Sequence, residues 1–135
     1  MKYIRLISAV LVTLLSIVVI AGCATSQEQL NTDLPPLKFF QLAQEAYDNK
    51  NYELALEYYN TFIEEYPEEK AKKIEARYEI AFIHYKLDHY QKAKELFQGI
   101  LDTYSSAASG EYPEWPKILS EKLITKIEEA GSSES

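Results

Sequence analysis

The chain has 135 residues, with 14 Lys and Arg against 21 Asp and Glu and a formal charge of -7. That is room for one domain, and so acidic a surface repels phosphate backbones, which argues against direct nucleic-acid binding. Its single cysteine, Cys23, excludes an intramolecular disulfide, and its compositional oddity is 11 Tyr.

Lys2 and Arg5 precede residues 6–22, an uncharged run dominated by Leu, Ile, Val and Ala. This is the layout of a secretory signal. The run closes with Ile20, Ala21, Gly22 and Cys23, which resembles the lipobox of bacterial lipoproteins: an aliphatic residue, two small ones, then the cysteine that is acylated before cleavage. The resemblance implies a signal peptide over residues 1–22 and lipid attachment at Cys23. Its removal would take Lys2 and Arg5 with it, leaving 12 basic against 21 acidic residues, a charge of -9. Two or three acyl chains anchor firmly where one binds only marginally. Ala24, in place of the aspartate that marks inner-membrane retention, resembles lipoproteins sorted onward, so the expected location is the periplasmic face of the outer membrane. The alternative is an uncleaved membrane anchor, since about 17 apolar residues reach the lower limit for spanning a bilayer.

Residues 23–36 are polar, lack helical periodicity and end in Pro35 and Pro36. They read as a flexible tether leading into a helix, because proline is tolerated in a first turn. Phe39, Leu42, Ala43 and Ala46 then recur at helical spacing. A polar turn follows, with Asn51 as a plausible N-cap for a second helix whose packed stripe is Ala55, Tyr59, Phe62 and Ile63 and which Pro67 stops. A third helix is expected over residues 69–87, and a fourth, capped by Asp88, over residues 89–104.

Residues 52–66 return 38 positions later as residues 90–104. Tyr52, Ala55, Glu57 and Tyr66 recur as Tyr90, Ala93, Glu95 and Tyr104. A period of this length marks stacked supersecondary units. Leu42, Ala43, Tyr52, Ala55, Tyr59, Phe62 and Pro67, and then Ile80, Ala81, Tyr90, Ala93, Phe97 and Ile100, resemble the tetratricopeptide pattern. The departures are Ala46 and His84 where the family has tyrosine, Ser105 for the closing proline, and a period longer than the usual one, its extra length falling in residues 68–74. The expected fold is all-α: a short α-solenoid of two helix pairs (37–67 and 69–104), a loop (105–115), a capping helix (116–130) and a frayed tail (131–135). The capping helix would turn Leu119, Leu123, Ile124 and Ile127 inward. Trp115 reads either as a hinge anchor or as an exposed contact.

A lipobox followed by these repeats resembles the N-terminal half of the BamD (YfiO) family of outer-membrane β-barrel assembly lipoproteins. The resemblance covers residues 39–104. It implies a scaffold that binds other subunits of an envelope assembly complex and extended barrel-precursor peptides. The family's C-terminal half, which docks to the central barrel subunit, has no counterpart here, so that contact is not implied. The other interaction role open to such a lipoprotein is as an adaptor for secretin or pilus assembly or for cell-wall division.

In tetratricopeptide proteins the first helix of each pair lines a groove, which places Phe40, Gln44 and Tyr47 from the first unit and Tyr78, Phe82 and Tyr85 from the second on a partner-binding face. An aromatic trough suits an extended peptide rich in aromatics. The competing assignment for these rings is packing between repeats. His84 and His89 have no metal-ligand spacing, and Glu64, Glu65, Glu68 and Glu69 read as a solvated helix end. Neither a phosphate loop nor a nucleophile motif is present. The expectation is a non-enzymatic protein without cofactor or metal.

Overall fold

A computed structural model describes residues 33–132, which lie in one compact unit. The expected signal, Cys23 and most of the tether lie outside the described residues. Among the described residues the secondary structure is helical, without strands: α1 Pro36–Asp48, α2 Tyr52–Glu65, α3 Lys70–Lys86, α4 Tyr90–Ser106 and α5 Glu114–Ser132. Turns of a few residues fold α2, α3 and α4 each back on its predecessor. α1 pairs with α2 and α3 with α4, α2 meets α3 to join the pairs, and α5 lies on α4 with a smaller contact to α3. None of the helices among these residues is long and apolar enough to cross a membrane.

Four alanines set the helix spacing. Ala43 and Ala55 in the first pair, and Ala81 and Ala93 in the second, are fully buried. Large side chains fill the volume beside them: Phe39, Tyr59 and Phe62 in the first pair, Tyr78, Phe97 and Ile100 in the second. Ile127 of α5 closes the second cluster. Burying side chains of this size is the main favourable term in forming the stack.

The two helix pairs also share a backbone device. Lys50 and Asp88, 38 residues apart, both have φ of 60°. After α1, the Asn51 N–H donates to Ala46 O and the Lys50 N–H to Tyr47 O; after α3, His89 donates to His84 O and Asp88 to Tyr85 O. This closes each helix with a left-handed residue and satisfies carbonyls that the helix end leaves open. Asn51 does cap α2, its side chain accepting from the Leu54 N–H. Asp88 does not cap α4. It occupies the left-handed turn position, its carboxylate accepts the Tyr90 hydroxyl instead, and the N-cap is His89 without a side-chain bond.

The C-terminal third departs from expectation at its edges. α4 runs to Ser106 and α5 starts at Glu114, so the loop is shorter than residues 105–115. Pro116 sits inside the first turn of α5, where its missing N–H has no helical partner to lose. The helix continues through Gly131 to Ser132 rather than fraying at 131. Its buried residues are Pro116, Ser120 and Ile127. Leu123 and Ile124 are half-buried, while Leu119, expected inward, is exposed. Pro116 and Ser120, four apart, share a face, and with that narrow face turned inward, the neighbouring leucine is carried round to solvent.

Lys50 is a long L-residue held in the left-handed region, a strained position that glycine adopts freely. Lys50→Gly should therefore raise stability by up to about 1 kcal/mol, measured as a higher urea midpoint at unchanged slope.

Candidate functional site

The candidate face is built from α1 and α3. The turn that closes α1 brings Tyr47 and Tyr52 to a ring separation of 5.4 Å, and the equivalent turn after α3 brings Tyr85 and Tyr90 to 5.7 Å. On α3, Tyr78, Phe82 and Tyr85 lie at i, i+4 and i+7, which puts them on one side of the helix. Their rings follow one another in near-parallel offset: Tyr78 to Phe82 at 6.1 Å and 11°, Phe82 to Tyr85 at 6.2 Å and 20°. Tyr47 reaches across from the first pair to Phe82 at 6.3 Å. The result is a continuous line of rings running over both helix pairs, with spacings inside the favourable range for aromatic pairs.

The six expected groove residues do not play equal parts. Tyr47, Phe82 and Tyr85 are half-buried, each with part of a ring available to a ligand, and the structure brings them together. Tyr78 is only 6 % exposed. Its ring is held between Phe97 of α4 at 5.7 Å and Trp115 of α5 at 5.1 Å, so it is a wall of the site rather than a contact surface. Phe40 is also spoken for: it packs edge-on against Tyr59 at 5.5 Å and Phe62 at 4.9 Å, with the Lys72 ammonium 5.3 Å from its centroid. Gln44 is exposed and donates to Asp48 at 2.9 Å.

Residues outside the six join the face. Trp115 is both anchor and surface, its indole edge-on to Tyr78 while it remains 37 % exposed. The Lys126 ammonium lies 5.8 Å from the Tyr85 ring, a cation–π contact from α5. Tyr52 and Tyr90 extend the line; their recurrence at 38 residues was the available signal. Glu79, on α3, is partly buried, and burial first, then the neighbouring Glu75 charge, raises its carboxyl above the usual carboxylate range.

The tyrosines report the dryness of this face. Burial is the largest cause lifting the Tyr78 phenol to about 12, with Glu79 and Tyr47 adding to it. Burial likewise raises Tyr47 and Tyr59, and Glu79 contributes at both. Elsewhere, His84 Nδ1 and His89 Nδ1 lie 3.4 Å apart, and burial followed by His89 lowers the His84 imidazole. Among the described residues no group of three or more His, Cys, Asp or Glu is placed to hold a metal ion.

The tetratricopeptide repeat model matches residues 39–69 and 75–107. Both helix pairs are thus similar to tetratricopeptide repeats. The matched segments are the helix pairs α1–α2 and α3–α4, with α5 laid against the second. A Treponema pallidum (strain Nichols) protein described as uncharacterized is 30% identical over 102 residues, covering 74% of this chain and 41% of that protein. The chain therefore spans well under half of that relative's length. No solved structure matches it.

The Tyr78 phenol is held at about 12, against an ordinary value of 10.0 in an exposed tyrosine. The unfolded chain ionises first, so the contribution is fully present below pH 10 and is lost as pH rises through the folded value. Alkaline unfolding between those limits should be delayed in Tyr78→Phe, which keeps the ring and removes the proton; far-ultraviolet circular dichroism across that pH range measures it.

Proposed function

We propose that this tetratricopeptide protein is a lipid-anchored scaffold of the outer-membrane β-barrel assembly machinery, held by Cys23 at the periplasmic face. On this reading its aromatic face takes extended segments of barrel precursors or of partner subunits. The observation that carries it is the half-exposed line Tyr47, Phe82 and Tyr85, which crosses from one repeat to the other. Such a line is long enough for an extended chain, whose alternate side chains can lie over successive rings. Barrel precursors offer the complementary chemistry, aromatic residues at alternate positions in a segment without its strand partners.

Support for the location comes from the sequence of residues 20–23, with the chain's one cysteine at the position of acylation. The family resemblance over residues 39–104 supports the choice of complex over the secretin, pilus and division roles. Recovery of the barrel assembly subunit with this protein from detergent-solubilised membranes is the expected result. Recovery of a secretin or division protein in its place would transfer the scaffold to that complex.

Two outcomes test the anchor and the face separately. Metabolic labelling with a radioactive fatty acid should mark the protein and leave Cys23→Ala unlabelled; label retained by the variant removes the anchor. For the face, Tyr47→Ala combined with Phe82→Ala should weaken binding of a synthetic peptide ending in phenylalanine by about tenfold or more, since each ring pair contributes roughly 0.5–1.5 kcal/mol beyond area. Unchanged affinity with intact helicity would remove the face.

A further inference from the structure

The two repeats differ most at the start of their first helices. Displaced by the 38-residue period, the beginning of α1 at Pro36 corresponds to Ile74, yet α3 begins at Lys70, one turn earlier. That added turn reads Lys70, Ala71, Lys72, Lys73. It has no acidic residue in its first turn and no side-chain cap from Glu69. Cations at the positive end of a helix dipole are the reverse of the favourable arrangement.

The second difference is at Arg77, which occupies the place that Phe39 holds in the first repeat. Phe39 is fully buried and seals the space between α1 and α2 against Tyr58, Phe62 and Tyr66. Arg77 spans α3 to α4 instead, donating to Thr103 Oγ1 at 3.0 Å and to Gly99 O at 3.2 Å. A Cβ at residue 99 would sit 3.4 Å from the guanidinium, at ordinary van der Waals contact. Because a guanidinium has five N–H donors, three remain. Where the phenylalanine plug is missing there is a pocket of about 250 Å³, lined by Lys70, Lys73, Ile74, Arg77, Thr103 and Tyr112, with Pro67 at its edge.

We propose that this pocket binds a phosphate group. Lys70 is balanced by Glu111 at 3.0 Å. Lys73 donates only to the Pro67 carbonyl, at 3.1 Å, and among the described residues neither it nor Arg77 has a carboxylate within ion-pair distance. Two uncompensated cations match a phosphomonoester dianion, whereas a carboxylate would leave one unmatched. Ile74 and Tyr112 give the bearer of the phosphate an apolar wall. The phosphate can come from a soluble molecule or from a lipid headgroup.

The test uses the full chain in non-ionic micelles, titrated with inorganic phosphate at constant ionic strength, because exposed charges are screened by salt. Amide resonances of Lys73, Arg77, Gly99 and Thr103 should shift saturably. Lys73→Glu should weaken the response at least about tenfold, the equivalent of one charge-assisted bond, while Lys86→Gln, which removes a cation from the far end of α3, should leave it unchanged. Should Lys73→Glu fail to fold, Lys73→Gln takes its place. Absence of saturation, or equal loss in Lys86→Gln, overturns the proposal. Micelles doped with phosphatidate distinguish the sources: a response to both probes assigns a headgroup, a response to inorganic phosphate alone assigns a soluble ligand, and a response to neither removes the site.

Discussion

The close approach of helix backbones over Ala43 and Ala55, and again over Ala81 and Ala93, is the constraint from which the rest of the molecule follows. All four are fully buried, and a larger side chain at any of them would force apart helices that are packed to native density. With the pair spacing so narrow, bulky residues can only sit beside the alanines. That is where Phe39, Tyr59, Phe62, Tyr78, Phe97 and Ile100 are found. The rings that do not fit in those spaces come out along α1 and α3, and they form the face that a partner would meet. Core and candidate site are thus two consequences of one packing rule.

Much of this was legible in the sequence because it depends on period. The 38-residue echo, the helical spacing of apolar residues and the polar turns specified the helix count, the pairing and the capping helix. Particular side chains were less accessible. The shift from the family's tyrosine position to Tyr47 and Tyr85 moves each ring by one residue, about 100° around the helix. Ala46 is left buried and Tyr47 half-exposed, as the sequence reading required. Tyr78 defeated that reading because its covering partners, Phe97 and Trp115, come from helices 19 and 37 residues on. Phe40 is half-buried like Tyr47, and the packing of α1 against α2 sets it edge-on to Tyr59 and Phe62. Asp88 looked like a cap by residue type, but its position in the repeat, opposite Lys50, assigned it to the left-handed turn.

The two repeats have diverged in charge as well as in shape. α1 carries one Lys and no Arg, while α3 carries five Lys and Arg among its 17 residues. The aromatic face and the basic pocket involve different neighbours: the rings line up with Tyr47 of α1 and with α5, whereas Arg77 and Lys73 turn towards α4, Pro67 and the loop that precedes α5. One helix therefore serves two chemically distinct surfaces, apolar and cationic, without either disturbing the alanine contact between them. An added basic turn at the start of α3, together with arginine in the second unit at the plug position that phenylalanine holds in the first, accounts for the difference.

Trp115 is the chain's one tryptophan, and it stands at the end of the aromatic line, in edge contact with Tyr78 and partly open to water. Optically this makes the domain self-reporting. Light absorbed by the tyrosines along α1 and α3 has a single indole acceptor at the end of the row, and the colour of that indole's emission follows its hydration. A chain laid along the face would change both quantities at once, so occupancy of the scaffold can be followed without a label attached to either partner.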